Sequence, residues 1–289
     1  KIKEPFDGLF TQGMVCHETY KDQQENWLSP EEVTSDDGKK FYKKDNLSEK
    51  VIVGPTESMS KSKKNTVDPE SIIKNYGADS VRLFILSDSP PEKDVQWSDQ
   101  GMIASFKFVQ KLWALNSKIL DKIKNNNQDD GGEGEDLIKF TNQLIHKVTQ
   151  NLEKFHYNVI VANLYEMYNF LIKEIDKPIK KGVLINNYKK ILILMNPFIP
   201  HFSNECLSTF NESLINWPIV SKKDLIEEKI SFVVQINGKK RAILNIKRDM
   251  IENDVLEIVK PNQEIQKFIK GQKIKKSIFV HNRLINIII

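Results

Sequence analysis

Cysteine is nearly absent. Cys16 and Cys206 are the only two, stand far apart and belong to no CxxC or repeated metal-ligand spacing. That argues against a disulfide framework or a zinc knuckle and fits a reducing compartment. Long apolar runs are missing too: the longest, Ile191 to Met195 and Leu284 to Ile289, fall far short of the roughly 20 residues a membrane-spanning helix needs. Charge of one sign is not in excess, since 43 Lys and Arg face 39 Asp and Glu for a formal net charge of +4. Attraction for a polyanion must therefore come from local clusters and not from the overall field. The chain opens at Lys1 with no methionine, cationic leader or signal-type apolar region, and EPFDGLFTQGMV reads as the interior of a folded domain, so a piece of a longer chain is expected. What is present is an ordinary globular composition, 39% hydrophobic and 28% charged over 289 residues, enough for two or three domains with cores of their own.

Residues 1 to about 57 are mixed. Leu9 to Val15 reads as a strand, followed by a polar segment punctuated by Trp27, Pro30, Phe41 and Tyr42, as a small insertion would be. Asp68, Pro69 and Glu70 supply an N-cap, a first-turn proline and an acidic residue, and Gly77 a C-cap, so a short helix is predicted between them. A second helix runs from Asp79 or Ser80 to Leu86, before Pro90 and Pro91. Met102, Phe106, Val109, Trp113, Asn116 and Leu120 then recur at steps of three or four, predicting a long amphipathic helix with that stripe buried. The polar, Gly-rich stretch Asn125 to Asp136 reads as a solvated linker. Two further stripes follow, one through Leu137, Phe140, Leu144, Val148, Leu152 and Phe155, the other through Ile160, Leu164, Met167, Leu171 and Ile175. A helix over Val183 to Met195 is broken by Pro197 and Pro200, and a last one lies near Phe202 to Phe210, which completes a helical bundle.

After Trp217 the period changes to two. Phe232, Val234 and Ile236 alternate with Val233 and Gln235, Asn237 and Gly238 make a hairpin turn, and Ala242 to Ile246 returns. Helices near Ile251 to Val259 and Asn262 to Ile269, closed by Gly271, precede strands at Ser277 to His281 and Leu284 to Ile289. This is a small α+β domain.

Chemistry concentrates in Gly54 to Asn65, GPTESMSKSKKN, a predicted loop with small hydroxyls and three lysines that leads into the capped helix. Lysine ammonium groups and serine hydroxyls suit polyphosphate oxygens, and cations there favour a transition state in which negative charge builds on a departing pyrophosphate. By composition alone the same residues describe a solvated basic surface loop. The wording decides between them. Met59, Ser60, Lys61 and Ser62 resemble the KMSKS signature of class I aminoacyl-tRNA synthetases, with Ser58 where that family usually has its first lysine. The flanking words EPFDGLFTQGMV, SKSKKNTVDPESIIKNYGADSVRLFIL, DSPPEKDVQWSDQG and NPFIPHFSNECL narrow the resemblance to the leucyl-tRNA synthetases and extend it over almost the whole chain.

The resemblance implies a multidomain protein. Residues 1–97 are expected to be the end of a class I α/β, Rossmann-type catalytic domain, with a small leucine-specific insertion at about 16–57 and the KMSKS-like loop at 58–62. An α-helical bundle tRNA-binding domain of the anticodon-binding type is expected at 98–220, and a small α+β C-terminal tRNA-binding domain at 228–289. It implies ligation of leucine to tRNA(Leu) with ATP and Mg2+, by a monomer without a membrane segment, in a bacterial cytoplasm or an organelle. Lys61 takes the catalytic role; Met59, Ser60, Lys61, Ser62, Lys63 and Lys64 contact ATP, Lys63 or Lys64 compensating for Ser58 if the loop shifts; no resident metal site is implied. No HxGH-type motif occurs among the five histidines, so the first half of the catalytic domain and any editing domain are expected outside this chain, which alone should not aminoacylate. A non-catalytic tRNA-binding relic, and the related isoleucine or valine enzymes, are the alternatives.

Elsewhere the readings are plainer. Lys239, Lys240 and Arg241 project past the hairpin turn, with Lys270, Lys273, Lys275 and Lys276 adding charge nearby in sequence. They suit a phosphate backbone or a solvated tip equally, and the resemblance assigns the hairpin to tRNA. His201 and Glu205 have the spacing of a metal pair but no third ligand in sequence, so a structural cap or core role is expected for His201. Trp97, Trp113 and Trp217 are read as packing anchors.

Overall fold

A computed structural model describes residues 6, 8–35, 38–125, 132–211, 216–220, 225, 229–269 and 271–289. The chain divides into two compact units, Lys1–Val220 and Ser221–Ile289.

The first unit opens with short strands: β1 (Val15–Lys21), β2 (Trp27–Leu28), β3 (Val33–Thr34), β4 (Tyr42–Lys43), β5 (Ile52–Ser58) and, beyond two helices, β6 (Val95–Gln96). β1 is central. It pairs antiparallel with β5 along one edge; β2, antiparallel, and β6, parallel, pair with its two ends. The strand expected over Leu9 to Val15 is therefore displaced. Residues 8–14 run in irregular backbone with Leu9 exposed, while Cys16, His17, Thr19 and Tyr20 of β1 are buried. Leu9 and Phe10 are parted from Met14 and Val15 by Thr11, Gln12 and Gly13, and Gly13 docks where no side chain fits: a Cβ there would meet the Lys93 carbonyl oxygen at 2.1 Å. The β1–β5 register slips between Glu18 and Tyr20. Pro55, which has no N–H to give a ladder, sits at this irregularity, and the Thr19 hydroxyl donates to its carbonyl at 3.1 Å. Tyr20, Leu28 and Val51 form a small core of their own.

Helices follow: α1 (Pro69–Tyr76), α2 (Ala78–Ser87), α3 (Asp99–Asn125), α4 (Glu135–Glu153), α5 (Tyr157–Glu174), α6 (Lys181–Met195) and α7 (Pro200–Ser208). α1 begins as expected, with the Asp68 carboxylate accepting from the N–H groups of Glu70 and Ser71 and Gly77 closing it at φ 80°. Leu83 of α2 joins Phe108, Leu112, Leu144, Leu164, Leu192 and Phe198 in one continuous core, so α2 packs as part of the bundle. The buried stripe of α3 is Met102, Ser105, Phe108, Leu112, Leu115, Asn116 and Ile119, which replaces the stripe predicted through Phe106, Val109 and Trp113. α3 carries two adjacent apolar rows, and periodicity cannot tell which one the neighbouring helices cover. The second row, with Tyr76 and Phe202, lines a cavity of about 690 Å³. Trp113 is 48% exposed there and not a buried anchor, whereas Trp217 donates to the Thr149 hydroxyl at 2.8 Å and packs against the core. Phe155, expected in the α4 stripe, lies past the helix end and is exposed. The predicted linker falls largely outside the described residues; Asn125 closes α3 and Glu135 opens α4.

Two side chains that periodicity could not flag join α2 to the α6–α7 corner. The buried Asp79 carboxylate accepts from the backbone N–H groups of His201 and Phe202, at 3.2 and 2.7 Å, and is 2.9 Å from His201 Nδ1. It thus caps α7 from another helix. His201 is held by this contact but its side chain is exposed, so it is neither a core residue nor the cap itself. Arg82 donates to the carbonyl oxygens of Pro197 and Phe198.

The second unit has β7 (Lys229–Ile236), β8 (Lys239–Lys247), α8 (Glu252–Val259), α9 (Gln263–Ile269), β9 (Lys276–Val280) and β10 (Leu284–Ile288). The strand order is β8-β7-β10-β9, with β7 and β10 parallel and the other pairs antiparallel. Phe232, Val234 and Ile236 of β7 alternate onto the buried face with Ile285 and Ile287 of β10, against Val255, Val259, Ile265 and Ile269 of the helices. This two-layer α+β arrangement follows the predicted pattern nearly residue for residue, because hairpin alternation and helix ends are local signals.

Candidate functional site

The segment read as a loop from Gly54 is shorter in the structure. Gly54 to Ser58 belong to β5, where a Cβ on Gly54 would meet the Thr19 hydroxyl oxygen at 2.4 Å. The turn proper is Met59 to Asn65. Met59 N–H donates to the Val15 carbonyl oxygen at 3.3 Å, seating the start of the turn on β1. Ser60 caps a single 3-10 turn over Lys61–Lys63, its hydroxyl accepting from Lys63 N–H at 3.3 Å and lying 2.9 Å from the Ser62 hydroxyl. Lys64 leaves that turn at φ 54°, a left-handed conformation that side chains other than glycine's resist.

Asn65, the residue that organises the turn, was missed by the sequence reading. It is fully buried. Its side-chain oxygen accepts from Ser60 N–H at 2.8 Å, and its amide nitrogen donates to the carbonyl oxygens of His17 and Glu57 at 3.3 Å and of Ser58 at 3.5 Å. One side chain thereby ties the two ends of the turn to each other and to β1 and β5. No local pattern in the sequence marks it, because its partners are backbone groups of β1, β5 and the turn.

The three lysines are not equivalent. Lys61 and Ser62 are exposed, and Lys61 has no ion-pair partner among the described residues. Lys63 pairs with Glu57, and Lys64 with Glu32 at 3.8 Å. Glu32 is held in turn by Ser29, whose backbone N–H and hydroxyl donate to it at 2.8 and 3.0 Å. The Ser29 backbone N–H is the main cause that keeps the Glu32 carboxyl below the ordinary carboxylate range, with smaller help from Ser29's hydroxyl, Lys64 and Lys43. The structure thus gathers Met59, Ser60, Lys61, Ser62, Lys63 and Lys64 on one turn, with Lys61 alone among its lysines free to meet an anion without first breaking a pair. Among the described residues no group of three or more His, Cys, Asp or Glu could hold a metal.

In the second unit the hairpin turn is Asn237 at φ 49° and Gly238 at φ 78°, the double left-handed geometry of a tight two-residue turn. Asn286 Oδ1 accepts from Gly238 N–H at 2.9 Å, and Asn237 Oδ1 from Ile289 N–H at 3.2 Å, so β10 pins the tip. Lys239 and Lys240 are exposed just past it. Arg241 is different. The register slips between Val234 and Gln235, a bulge that leaves Arg241 without a partner residue, and its guanidinium lies over the Phe268 ring of α9 at 4.3 Å. Pairing of Lys276 with Ile288, and of Ile287 with Ile236, puts Lys276 at the same end of the sheet as the hairpin tip, on the opposite edge. Lys273 and Lys275 are exposed, and Lys270 lies outside the described residues.

Family models, curated relatives and a solved structure are similar to this chain. Residues 3–98 match the family "tRNA synthetases class I (I, L, M and V)", and residues 135–270 the family "Anticodon-binding domain of tRNA ligase". Over its whole length the chain is 43% identical to a leucine–tRNA ligase of Orientia tsutsugamushi and 39% identical to one of Bartonella tribocorum, covering 34% of each. It therefore spans about a third of the length of these curated relatives. Among solved structures, an Agrobacterium radiobacter LeuRS in ternary complex with tRNA and LeuAMS is similar over 80% of this chain and 31% of its own, with a TM-score of 0.68 and 27% identity. No helix among the described residues is long and apolar enough to cross a membrane. Two synthetase families are thus matched in order along the chain, and leucine–tRNA ligases are similar to it from end to end.

Proposed function

We propose that this chain is the C-terminal portion of a leucine–tRNA ligase, which activates leucine with ATP and transfers it to tRNA(Leu). The observation that carries the reading is the 43% identity to a leucine–tRNA ligase along the entire chain, joined to a serine- and lysine-bearing turn of fixed backbone. In this reading Lys61 contributes its charge to the phosphates that leave as pyrophosphate, where it stabilises the transition state more than the bound nucleotide. Ser60 and Ser62 add neutral hydrogen bonds, Met59 seats the turn on β1, and Lys63 and Lys64 are the further phosphate contacts. Mg2+ arrives with the nucleotide's phosphates, since the turn offers ammonium and hydroxyl groups and not a carboxylate set. Lys239 and Lys240 face the tRNA backbone and give affinity without sequence readout, and Arg241, braced by Phe268, extends that surface.

The test is amino-acid-dependent ATP–pyrophosphate exchange, measured on the chain joined to the remaining portion that its longer relatives carry. Exchange with leucine, and not with isoleucine, valine or methionine, lost in Lys61→Ala, is the expected result. Absence of exchange with all four would leave a tRNA-binding protein that has kept the turn, the reading that Ser58 in the first lysine position favours.

A further inference from the structure

Two of the three turn lysines are neutralised by carboxylates that do not belong to the turn. Glu57 stands on β5, with its backbone carbonyl fixed by Asn65. Glu32 stands at the end of a short 3-10 segment, with its carboxylate fixed by Ser29. Both partners are thus anchored to the strand framework, while the lysines ride on long flexible stems. The Glu57–Lys63 pair is the more sheltered, with side chains 36% and 39% exposed against 49% and 53% for Glu32–Lys64. With serine at position 58, the turn can reach a polyphosphate with Lys61 alone unless Lys63 lets go of Glu57 or Lys64 of Glu32.

We propose that Glu57 is a positioning residue that holds Lys63 in reserve in the nucleotide-free chain, and that a polyphosphate binds by taking Lys63 from it. The inference rests on the reading of Met59–Lys64 as the ATP-contacting turn. Its physical content is a competition for one ammonium group. The carboxylate offers one charge at short range, and a polyphosphate offers several, so exchange of partners is favourable overall but weakened by whatever the resting pair contributes. Removing the Glu57 charge should therefore strengthen anion binding. A gain is the opposite of what damage to a merely structural residue produces, and it should exist only while Lys63 is there to be released. Glu32 acts on Lys64 in the same sense and more weakly, because that pair is more exposed.

The experiment is calorimetric titration of the 289-residue chain with inorganic tripolyphosphate, using wild type, Glu57→Gln, Lys63→Ala and the double variant, with circular dichroism to confirm folding. Glu57→Gln should bind about two- to five-fold more tightly than wild type, the range an incompletely exposed ion pair allows. In the Lys63→Ala background the same substitution should change affinity by less than about 1.5-fold, the limit below which no pair contribution remains. Unchanged or weaker binding by Glu57→Gln would overturn the proposal. So would a gain that persists without Lys63, because a general field effect would then explain it, and so would failure of all forms to bind. The ligase reading stands or falls separately, on leucine-dependent exchange. Exchange with no Glu57→Gln effect removes only the reserve role, and a Lys63-dependent gain without exchange leaves an anion site but no ligase.

Discussion

Replacing Asn65 by alanine should loosen the turn more than removal of any one of its lysines. Asn65 is fully buried and joins four backbone groups. The bond from Ser60 N–H, at 2.8 Å, is the short one and contributes about 1 kcal/mol. The three longer donations share two amide hydrogens and contribute roughly another 1 kcal/mol together. Leaving Ser60 N–H without an acceptor in a partly buried place adds desolvation of the same order, so about 2 to 3 kcal/mol is expected in total. All four tryptophans lie in the first unit, so urea unfolding followed by tryptophan fluorescence reports that unit alone. Amide hydrogen exchange then supplies the local readout: Ser60 N–H should lose protection in Asn65→Ala while amides in α5 follow only the global change. Asn65→Asp keeps the acceptor but sets a carboxylate among three carbonyl oxygens, and it should be at least as destabilising as alanine. An alanine variant within about 0.5 kcal/mol of wild type with Ser60 still protected would show that the turn holds its shape without this side chain, and the reasoning would fail.

Asp79→Ala should destabilise the first unit by about 2 kcal/mol, because two N–H groups at the start of α7 lose their side-chain acceptor; urea midpoints measure it. Burial pushes the Cys206 thiol up to about 12 from its ordinary 9.0. A raised folded-state pKa means that the unfolded chain loses its proton first. This stabilisation is therefore complete below pH 9 and declines as pH climbs from 9 towards 12, and Cys206→Ala should flatten that part of the stability curve. Reversing Lys239 and Lys240 to Glu should weaken tRNA binding and lower the salt slope by roughly 1.5 to 2 without changing the melting of the second unit. Arg241→Ala should in addition cost that unit about 0.5 to 1 kcal/mol through the lost Phe268 contact, and calorimetric melting separates the two.

The features of the fold that sequence reading anticipated are those decided within a few residues. Asp68–Pro69–Glu70 starts α1 because cap, proline and acid all act on one turn, and Asn237–Gly238 makes a hairpin because both residues tolerate positive φ. The α5 stripe through Ile160, Leu164, Met167 and Leu171 is buried as read, and its apolar neighbours Val161, Tyr168 and Ile172 pack against the same core. On α3 only one of two apolar rows is covered, and the positions of α2, α5 and α6 choose Phe108, Leu112 and Ile119 over Phe106, Val109 and Trp113. Asp79 was read as an ordinary helix start, yet its carboxylate serves a helix more than a hundred residues away, a pairing that no local pattern encodes.

The candidate site divides along the same line. Lys61 and its neighbours could be picked out by wording, because the chemistry proposed for them is carried by their own side chains. What a turn needs in order to use that chemistry is not. Three ammonium groups within four residues repel one another, and a turn that merely concentrated them would be held open by its own charge. Glu57 and Glu32 neutralise two of them from outside, and Asn65 closes the backbone beneath, so the turn keeps its shape while empty and presents one unpaired charge. Glu32 is remote in sequence, Glu57 lies in a strand, and Asn65 acts through backbone atoms. Each is chemically unremarkable alone, and Glu57 and Asn65 take their places because β1 and β5 pair in a register that brings Cys16 opposite Ser58 and His17 opposite Glu57. A shift of one residue in that pairing would exchange the faces of β5 and carry the Glu57 side chain away from Lys63. The slip between Glu18 and Tyr20, placed at Gly54 and Pro55, therefore helps set the electrostatics of a turn several residues further on.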